Sequence, residues 1–347
     1  LGAGPGVVAV DERRCPRDTL RRMEEGGVSV VRLGMSGEAV GRDVVARLHA
    51  DEIESDEALA RRLVDEHFPA WRDLPVRRVV PGGTDNAIYQ LGDDLALRLP
   101  RRPSAAGQVE VEARWLPRLA PNVPLAIPDV VAVATPSEVF PWPWAVVRWI
   151  DGGPVTADAL LDPIRAAYDL GAFVRALGEI DATGGPVPSR ANSGRGVPLA
   201  LRDEATRRNI AALDETDHPA VLTEIWEASL AVPPWSGAPR WVHGDLLPVN
   251  LLAREGRIVA AIDWGCLSTG DPATDLMAGW TIFTNASRRA FREASGCDDN
   301  TWARGRGWAV SWAAICLPYY RPTGNPLVAI AERVLEAVTS EWRELSG

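Results

Sequence analysis

Residues 241–276 read WVHGDLLPVNLLAREGRIVAAIDWGCLSTGDPATDL. Trp241 and Val242 lead into a polar knot, His243-Gly244-Asp245, and Asn250 follows five residues after Asp245. Leu251-Leu252-Ala253 reads as a short strand, Arg254-Glu255-Gly256-Arg257 as a tight turn, and Ile258 to Ile262 as the returning strand. The turn assignment rests on Gly256, which can adopt positive φ without steric cost. Apolar runs on either side of such a turn, the second rich in β-branched residues, are the signature of a hairpin. Antiparallel pairing then brings Asn250 and Asp263 to the same open end, with Asp245 one loop away.

An Asp and an Asn whose oxygens converge make a hard-oxygen site of the kind Mg²⁺ takes together with water and phosphate oxygens. A second carboxylate beside it can orient a hydroxyl and accept its proton. Protein kinases use H-R-D-x-x-x-x-N and D-F-G for these tasks. Here the pattern is H-G-D-x-x-x-x-N and I-D-W-G with the same internal spacing, followed by Gly270-Asp271-Pro272-Ala273-Thr274-Asp275-Leu276. The segment resembles the aminoglycoside phosphotransferase family, small-molecule relatives of protein kinases. The likeness runs from about Leu74 to Leu345 and is most specific over 241–276.

Composition narrows the classes. The chain has 347 residues, is 46% hydrophobic, and carries a formal charge of −10. Its length allows two lobes. No apolar run approaches the roughly 20 residues of a membrane span, and the acidic balance argues against a nucleic-acid surface. That balance favours a cationic or neutral partner. Four scattered cysteines, Cys15, Cys266, Cys297 and Cys316, show no metal or redox spacing and read as reduced thiols of a cytoplasmic protein. Every basic residue other than histidine is arginine. Residues 1–50 have little periodicity and no basic segment ahead of Leu1–Val10. They are unassigned, as an N-terminal extension with Met35 a candidate true start.

Residues 51–150 read as an N-terminal helix and a nucleotide-binding lobe. Ser55-Asp56-Glu57 starts a helix that Pro69 ends. Val76 to Val80, Ala87 to Leu91 and Leu95 to Leu99 read as strands, and Gly82, Gly83, Thr84 and Asn86 form a loop whose glycines let backbone approach phosphates. In the third strand Leu95, Leu97 and Leu99 share one face and Arg98 takes the other, while Arg101 and Arg102 read as solvent-facing. Ala106 to Leu119 reads as a helix with Val109, Ala113 and Leu116 on its buried stripe. Asp129 to Ala134 and Trp144 to Trp149 pair, and Ile150 to Gly153 is a hinge. Residues 151–347 read as a helical catalytic and acceptor-binding lobe. It includes a long Gly/Pro/Arg-rich loop, 183–198, of the length that is often functional. Its tryptophans Trp280, Trp302, Trp308 and Trp312 read mostly as core.

The resemblance implies an α+β, bilobal, protein-kinase-like fold with a small antiparallel-sheet lobe and a mostly helical one. It implies transfer of the γ-phosphoryl of ATP or GTP to a hydroxyl of a small molecule, with Mg²⁺. Asp245 would orient the hydroxyl and accept its proton, and Asn250 and Asp263 would hold the metal. Arg98, steadied by Glu112 in preference to Glu110, would grip the phosphates under the loop Gly82–Asn86. A purine ring would meet backbone at Arg148, Trp149 and Ile150. His243 would orient the catalytic loop and Asp275 would fix it. Arg98 departs from the usual lysine: it keeps the charge with a different, forked geometry. The acceptor stays open between an aminoglycoside and an amino alcohol, sugar, homoserine-like metabolite or macrolide. A nucleotide-binding pseudokinase is the rival from another class. Asp271 reads either as surface or as acceptor-facing.

Overall fold

The structure is a computed structural model. It describes residues 52–80, 83, 85–156 and 159–346, together with two short strands of a separate N-terminal unit, 1–47. Those strands, β1 (Val7–Val10) and β2 (Ser29–Arg32), pair in parallel. The sequence reading assigned them no element, although the valine-rich runs VVAV and SVVR suit extended backbone. Cys15, Met35, Gly82, Thr84, Ala157 and Asp158 lie outside the described residues.

In the second unit, 48–347, the first lobe is a five-stranded antiparallel sheet. Its strands are β3 (Val76–Arg78), β4 (Asn86–Leu91), β5 (Leu95–Pro100), β6 (Val130–Ala134) and β7 (Trp144–Arg148), in the order β3-β4-β5-β7-β6. Helix α1 (Glu57–His67), capped by the Asp56 side chain, covers one face. Ala60, Leu63 and Val64 pack there with Leu95, Leu97 and Leu99. Helix α2 (Pro103–Leu119) covers the other face, where Val109 meets Ala96, Ala145 and Val147. Because strand side chains alternate, the leucine row and Arg98 part company as the sequence implied. All six residues of β5 are nonetheless buried.

Three local readings are corrected. Helix α2 begins at Pro103, not Ala106, since proline's fixed φ and missing N–H suit a first turn. Its stripe holds Glu112 and Trp115 in place of Ala113, which is only half-buried. Arg101 and Arg102 are not solvent-facing: Arg101 is buried against Glu52 at 2.6 Å, and Arg102 reaches Asp85 at 2.5 Å.

The second lobe is mainly helical. Helices α3 (Pro163–Glu179), α4 (Asp203–Ile210) and α5 (Pro219–Ala231) precede the catalytic segment. After it come two one-turn helices, α6 (Ala273–Leu276) and α7 (Ala278–Thr281), and then α8 (Asn285–Ser295), α9 (Asp299–Tyr320) and α10 (Leu327–Ser346). Helix α9 is buried along most of its length, and Trp280, Trp302, Trp308 and Trp312 all lie in the core. Short strands frame the site. Strand β8 (Gly153–Pro154), just after the hinge, pairs with β10 (Leu251–Arg254), which pairs with β11 (Arg257–Ala261). Strand β9 (Arg240–Val242) pairs with β12 (Ser268–Gly270). The sequence reading missed β8, β9 and β12 because runs of two or three residues carry no readable periodicity. No helix among the described residues is long and apolar enough to cross a membrane.

Candidate active site

Pairing of β9 with β12 sets Val242 opposite Ser268 and delivers His243-Gly244-Asp245 beside Asp275 on α6. The Asp275 carboxylate accepts the backbone N–H of His243 and of Gly244, each at 2.7 Å. Burial pushes this carboxyl up to about 7, against those two donors. Gly244 has φ +85°, and a Cβ there would lie 2.6 Å from the Cys266 carbonyl oxygen and 2.8 Å from Cγ of Arg195. Only glycine fits both the conformation and the space.

The His243 ring is fully buried, with its centroid 4.6 Å from that of Trp264. Its Nδ1 accepts the Asp245 N–H at 3.2 Å, so the proton sits on Nε2, which donates to the Ile262 carbonyl at 3.0 Å. Burial lowers its pKa to about 4. The ring is therefore a neutral strut joining the catalytic loop to the end of the hairpin.

Asp245 is held from two sides. Arg195 Nη2 donates to Oδ1 at 3.1 Å, and Asn250 Nδ2 donates to Oδ2 at 2.9 Å and to the Asp245 carbonyl at 2.9 Å. About a quarter of the side chain, 24%, stays exposed. Burial lifts this carboxyl to about 6. Arg195 and Asn250 oppose the rise, and the charges of Asp263 and Asp85 add to it.

Asn250 ends a 3₁₀ turn and enters β10. The hairpin's open end closes where Ile262 N–H donates to the Asn250 carbonyl at 2.8 Å. Both side-chain bonds of Asn250 use its amide nitrogen, so the amide oxygen is not tied to Asp245. Asp263, just beyond β11, has φ +61°, a region that Asp and Asn tolerate better than other non-glycine residues. Its carboxyl is raised by burial, lowered by Arg98 and raised by Asp85. Strained backbone of this kind concentrates at functional sites.

Across the cleft, Arg98 hydrogen-bonds Glu112, both buried, and stands 3.9 Å from Asp263. Burial works against the guanidinium's charge, but Glu112 and Asp263 outweigh it and hold its pKa above the ordinary value. Glu110, two residues away, points to solvent. Asn86 is buried at the start of β4, and the Gly83 carbonyl lies 3.5 Å from Arg101 Nη1. At the hinge, Arg148 N–H donates to Asp129 and Trp149 N–H to Asp94, while Trp149 Nε1 donates to Asp151.

The sequence reading missed two contributors. Arg195 lies between Gly194 and Gly196 in the long loop, whose Gly/Arg composition was the available signal. Asp85, beside the glycine loop, accepts from Arg102 and, at 3.4 Å, from Gln108. The Gln108 amide in turn lies against Gly265, where a Cβ would come within 2.6 Å of it. Asp271, left open by the sequence, is a buried structural group: Arg304 Nε and Nη2 reach its oxygens at 2.7 and 3.3 Å.

A family model described as the phosphotransferase enzyme family matches residues 76–308, two thirds of the chain. The chain belongs to this family. As a member it is a nucleotide-dependent small-molecule kinase. Among solved structures, the GDP complex of wild-type aminoglycoside 2'-phosphotransferase-IIIa is similar at 21% identity and TM-score 0.62, covering 83% of this chain and 99% of that one. Macrolide 2'-phosphotransferase MphH from Brachybacterium faecium is similar at 26% identity and TM-score 0.53, covering 82% and 97%. A gentamicin complex of APH(2")-IIa is similar at 17% identity and TM-score 0.55, covering 83% and 99%. No curated protein sequence matches. The shared fold is the bilobal arrangement expected of this phosphotransferase family.

Proposed function

We propose that Asp245 is the base of a γ-phosphoryl transfer from ATP or GTP to a hydroxyl of a small acceptor. The observation that carries this reading is the clamped, partly exposed Asp245 carboxylate on the same cleft as Asp263 and the Arg98–Glu112 pair. Phosphoryl transfer asks the protein mainly for positioning and charge stabilisation. Each of these groups is placed for one of those tasks. Asp245, ionised above about pH 6, orients the acceptor hydroxyl and takes its proton. Arg98, held by Glu112, contacts the phosphates, with the Gly82–Asn86 loop above them. The backbone at Arg148, Trp149 and Ile150 meets the purine; with the N–H groups of Arg148 and Trp149 already engaged, the N–H of Ile150 is the hinge donor.

The donor set fits a magnesium ion. Asp263 supplies a carboxylate and Asn250 a free amide oxygen, an all-oxygen pair of the hardness Mg²⁺ prefers. Burial is the main cause of the raised carboxyls of Asp245 and Asp263; the charges of Asp263 and Asp85 add to it at Asp245 and that of Asp85 adds to it at Asp263, a repulsion that a bound cation would relieve. When bound, the ion would neutralise phosphate charge.

The acceptor is a hydroxylated small molecule, an aminoglycoside or a macrolide being the classes the named structural neighbours act on or bind. The protein is proposed to work in the cytoplasm, where its nucleotide is found. The test is Mg²⁺-dependent nucleotide consumption over a panel of hydroxylated acceptors, with ATP and GTP run separately and products identified by mass. A phosphorylated acceptor formed by the wild type and not by Asp245→Ala is the expected result. Nucleotide binding without product from any acceptor would turn the reading toward a pseudokinase.

A further inference from the structure

We propose that Arg195 is a positioning residue for phosphoryl transfer, holding the Asp245 carboxylate from the side opposite Asn250. The inference rests on the role of Asp245 proposed above.

Its basis is the way the chain builds the contact. Arg195 comes from the 183–198 segment, fifty residues before Asp245, yet its side chain is only 9% exposed and meets Oδ1 at 3.1 Å. Several independent contacts dock this segment. The N–H of Gly196 donates to Thr274 Oγ1 at 3.1 Å, and its carbonyl accepts the Asp271 N–H at 2.9 Å. A Cβ on Gly196, whose φ is +85°, would lie 3.2 Å from Cα of Gly270. On the catalytic loop, the missing side chain of Gly244 leaves the space that the Arg195 stem fills. The Arg195 guanidinium also stands 5.9 Å from the Trp308 ring centroid, a rigid backing in the core. Two glycines, one on each loop, thus permit one arginine to reach one carboxylate.

With Oδ2 bonded to Asn250 and Oδ1 to Arg195, the carboxylate cannot rotate freely about its Cβ–Cγ bond. A base held in this way presents its remaining lone pairs in one direction, which is where positioned proton acceptors gain their advantage. The stack on Trp308 ties that direction to α9. Arg202 stacks on the same indole, 4.4 Å from its centroid, and donates to Ser311. The catalytic carboxylate is therefore referenced to the core of the large lobe rather than to its own loop alone.

The test is a double-mutant cycle on the full chain with its best acceptor, using Arg195→Ala, Arg195→Lys, Asp245→Ala and Arg195→Ala/Asp245→Ala. Asp245 keeps 24% of its side chain exposed, so losing Arg195 leaves its carboxylate partly solvated, whereas Asp245→Ala strands the buried Arg195; Tm is therefore recorded for each variant. The expected result has three parts. Arg195→Ala lowers kcat about 10- to 100-fold with the nucleotide KM within about twofold. Arg195→Lys or millimolar guanidinium chloride restores part of the loss. The double variant is no slower than Asp245→Ala, because a residue acting through Asp245 has nothing left to act on. Unchanged kcat in Arg195→Ala overturns the proposal. Additive losses, or a kcat loss that tracks a fallen Tm and resists both lysine and guanidinium, overturn it too by showing a merely structural role. Normal turnover by Asp245→Ala would instead remove the base itself, and is read separately from the Arg195 single variants.

Discussion

Two walls face each other across the cleft, and they hold their charges differently. On the small-lobe wall, Arg98 and Glu112 are sealed between sheet and helix and hydrogen-bond each other through Glu112 Oε2, with Oε1 left without a partner. On the large-lobe wall, Asp245 and Asp263 keep 24% and 39% of their side chains exposed; Arg195 and Asn250 donate to Asp245, and Arg98 stands 3.9 Å from Asp263. A sealed pair fixes geometry, and breaking it leaves an uncompensated buried charge. A half-open carboxylate keeps room for a ligand and a pKa near working pH. The small-lobe pair holds a static charge in place, whereas the large-lobe carboxylates stay open to a ligand.

The sharpest break in that contrast is Asp245→Ala. It should lower turnover by about a hundred- to ten-thousand-fold while nucleotide affinity stays near wild type and Tm falls, because the buried Arg195 loses its carboxylate partner. Steady-state kinetics beside calorimetric nucleotide binding check it, and a matching loss of binding would undo the distinction between the walls.

Glu112→Ala should act the other way. Stripped of its partner, Arg98 is left buried at a cost of about 3–5 kcal/mol, toward the low end because Asp263 lies 3.9 Å away. Denaturant unfolding measures this, and nucleotide binding should weaken along with stability. Asp271→Ala, which strands Arg304 in the large lobe, should cost a similar amount with no change in nucleotide affinity. A stability loss under about 1 kcal/mol would place that pair among surface salt bridges.

A smaller effect separates the titrating groups of the open wall. The acid form of Asp245 cannot accept a proton, so kcat/KM, which reports the free enzyme, should fall as pH drops through about 6. His243, depressed to about 4, stays neutral over that range and should contribute no inflection at its ordinary value near 6.5. A pH–rate profile whose acid limb survives in Asp245→Asn would assign the limb elsewhere.

Smallest of all should be Arg98→Lys. It keeps the charge opposite Glu112 and gives up only the fork, so less than about a tenfold change in kcat/KM is expected. A far larger loss would mean that the sealed wall depends on guanidinium geometry as well as charge.

The catalytic segment was legible in sequence because it is locally encoded. A glycine turn between apolar runs fixes the hairpin, and the spacing of Asp245, Asn250 and Asp263 follows from it. The alternation in β5 placed Arg98 opposite the leucine row for the same reason. Glu112 came from the resemblance together with its position on the helix stripe. Asp271 could not be assigned from sequence, because its partner Arg304 lies on α9, 33 residues away. Arg101 was misread because neither its burial nor Glu52, 49 residues earlier, leaves any local mark. Arg195 was hidden for a related reason: a loop has no period, so nothing in it says which side chain turns inward.

By itself, then, the sequence determined the longer helices and strands, the order of the polar groups along the hairpin and the family resemblance they carry. These depend on short-range backbone chemistry: turn residues, side-chain alternation and helical repeat. Only the tertiary structure decided which charges are paired, which stay open and which arginine reaches Asp245. Those outcomes depend on burial and on partners brought together by packing, and desolvation acts on a group only once the rest of the chain has closed around it.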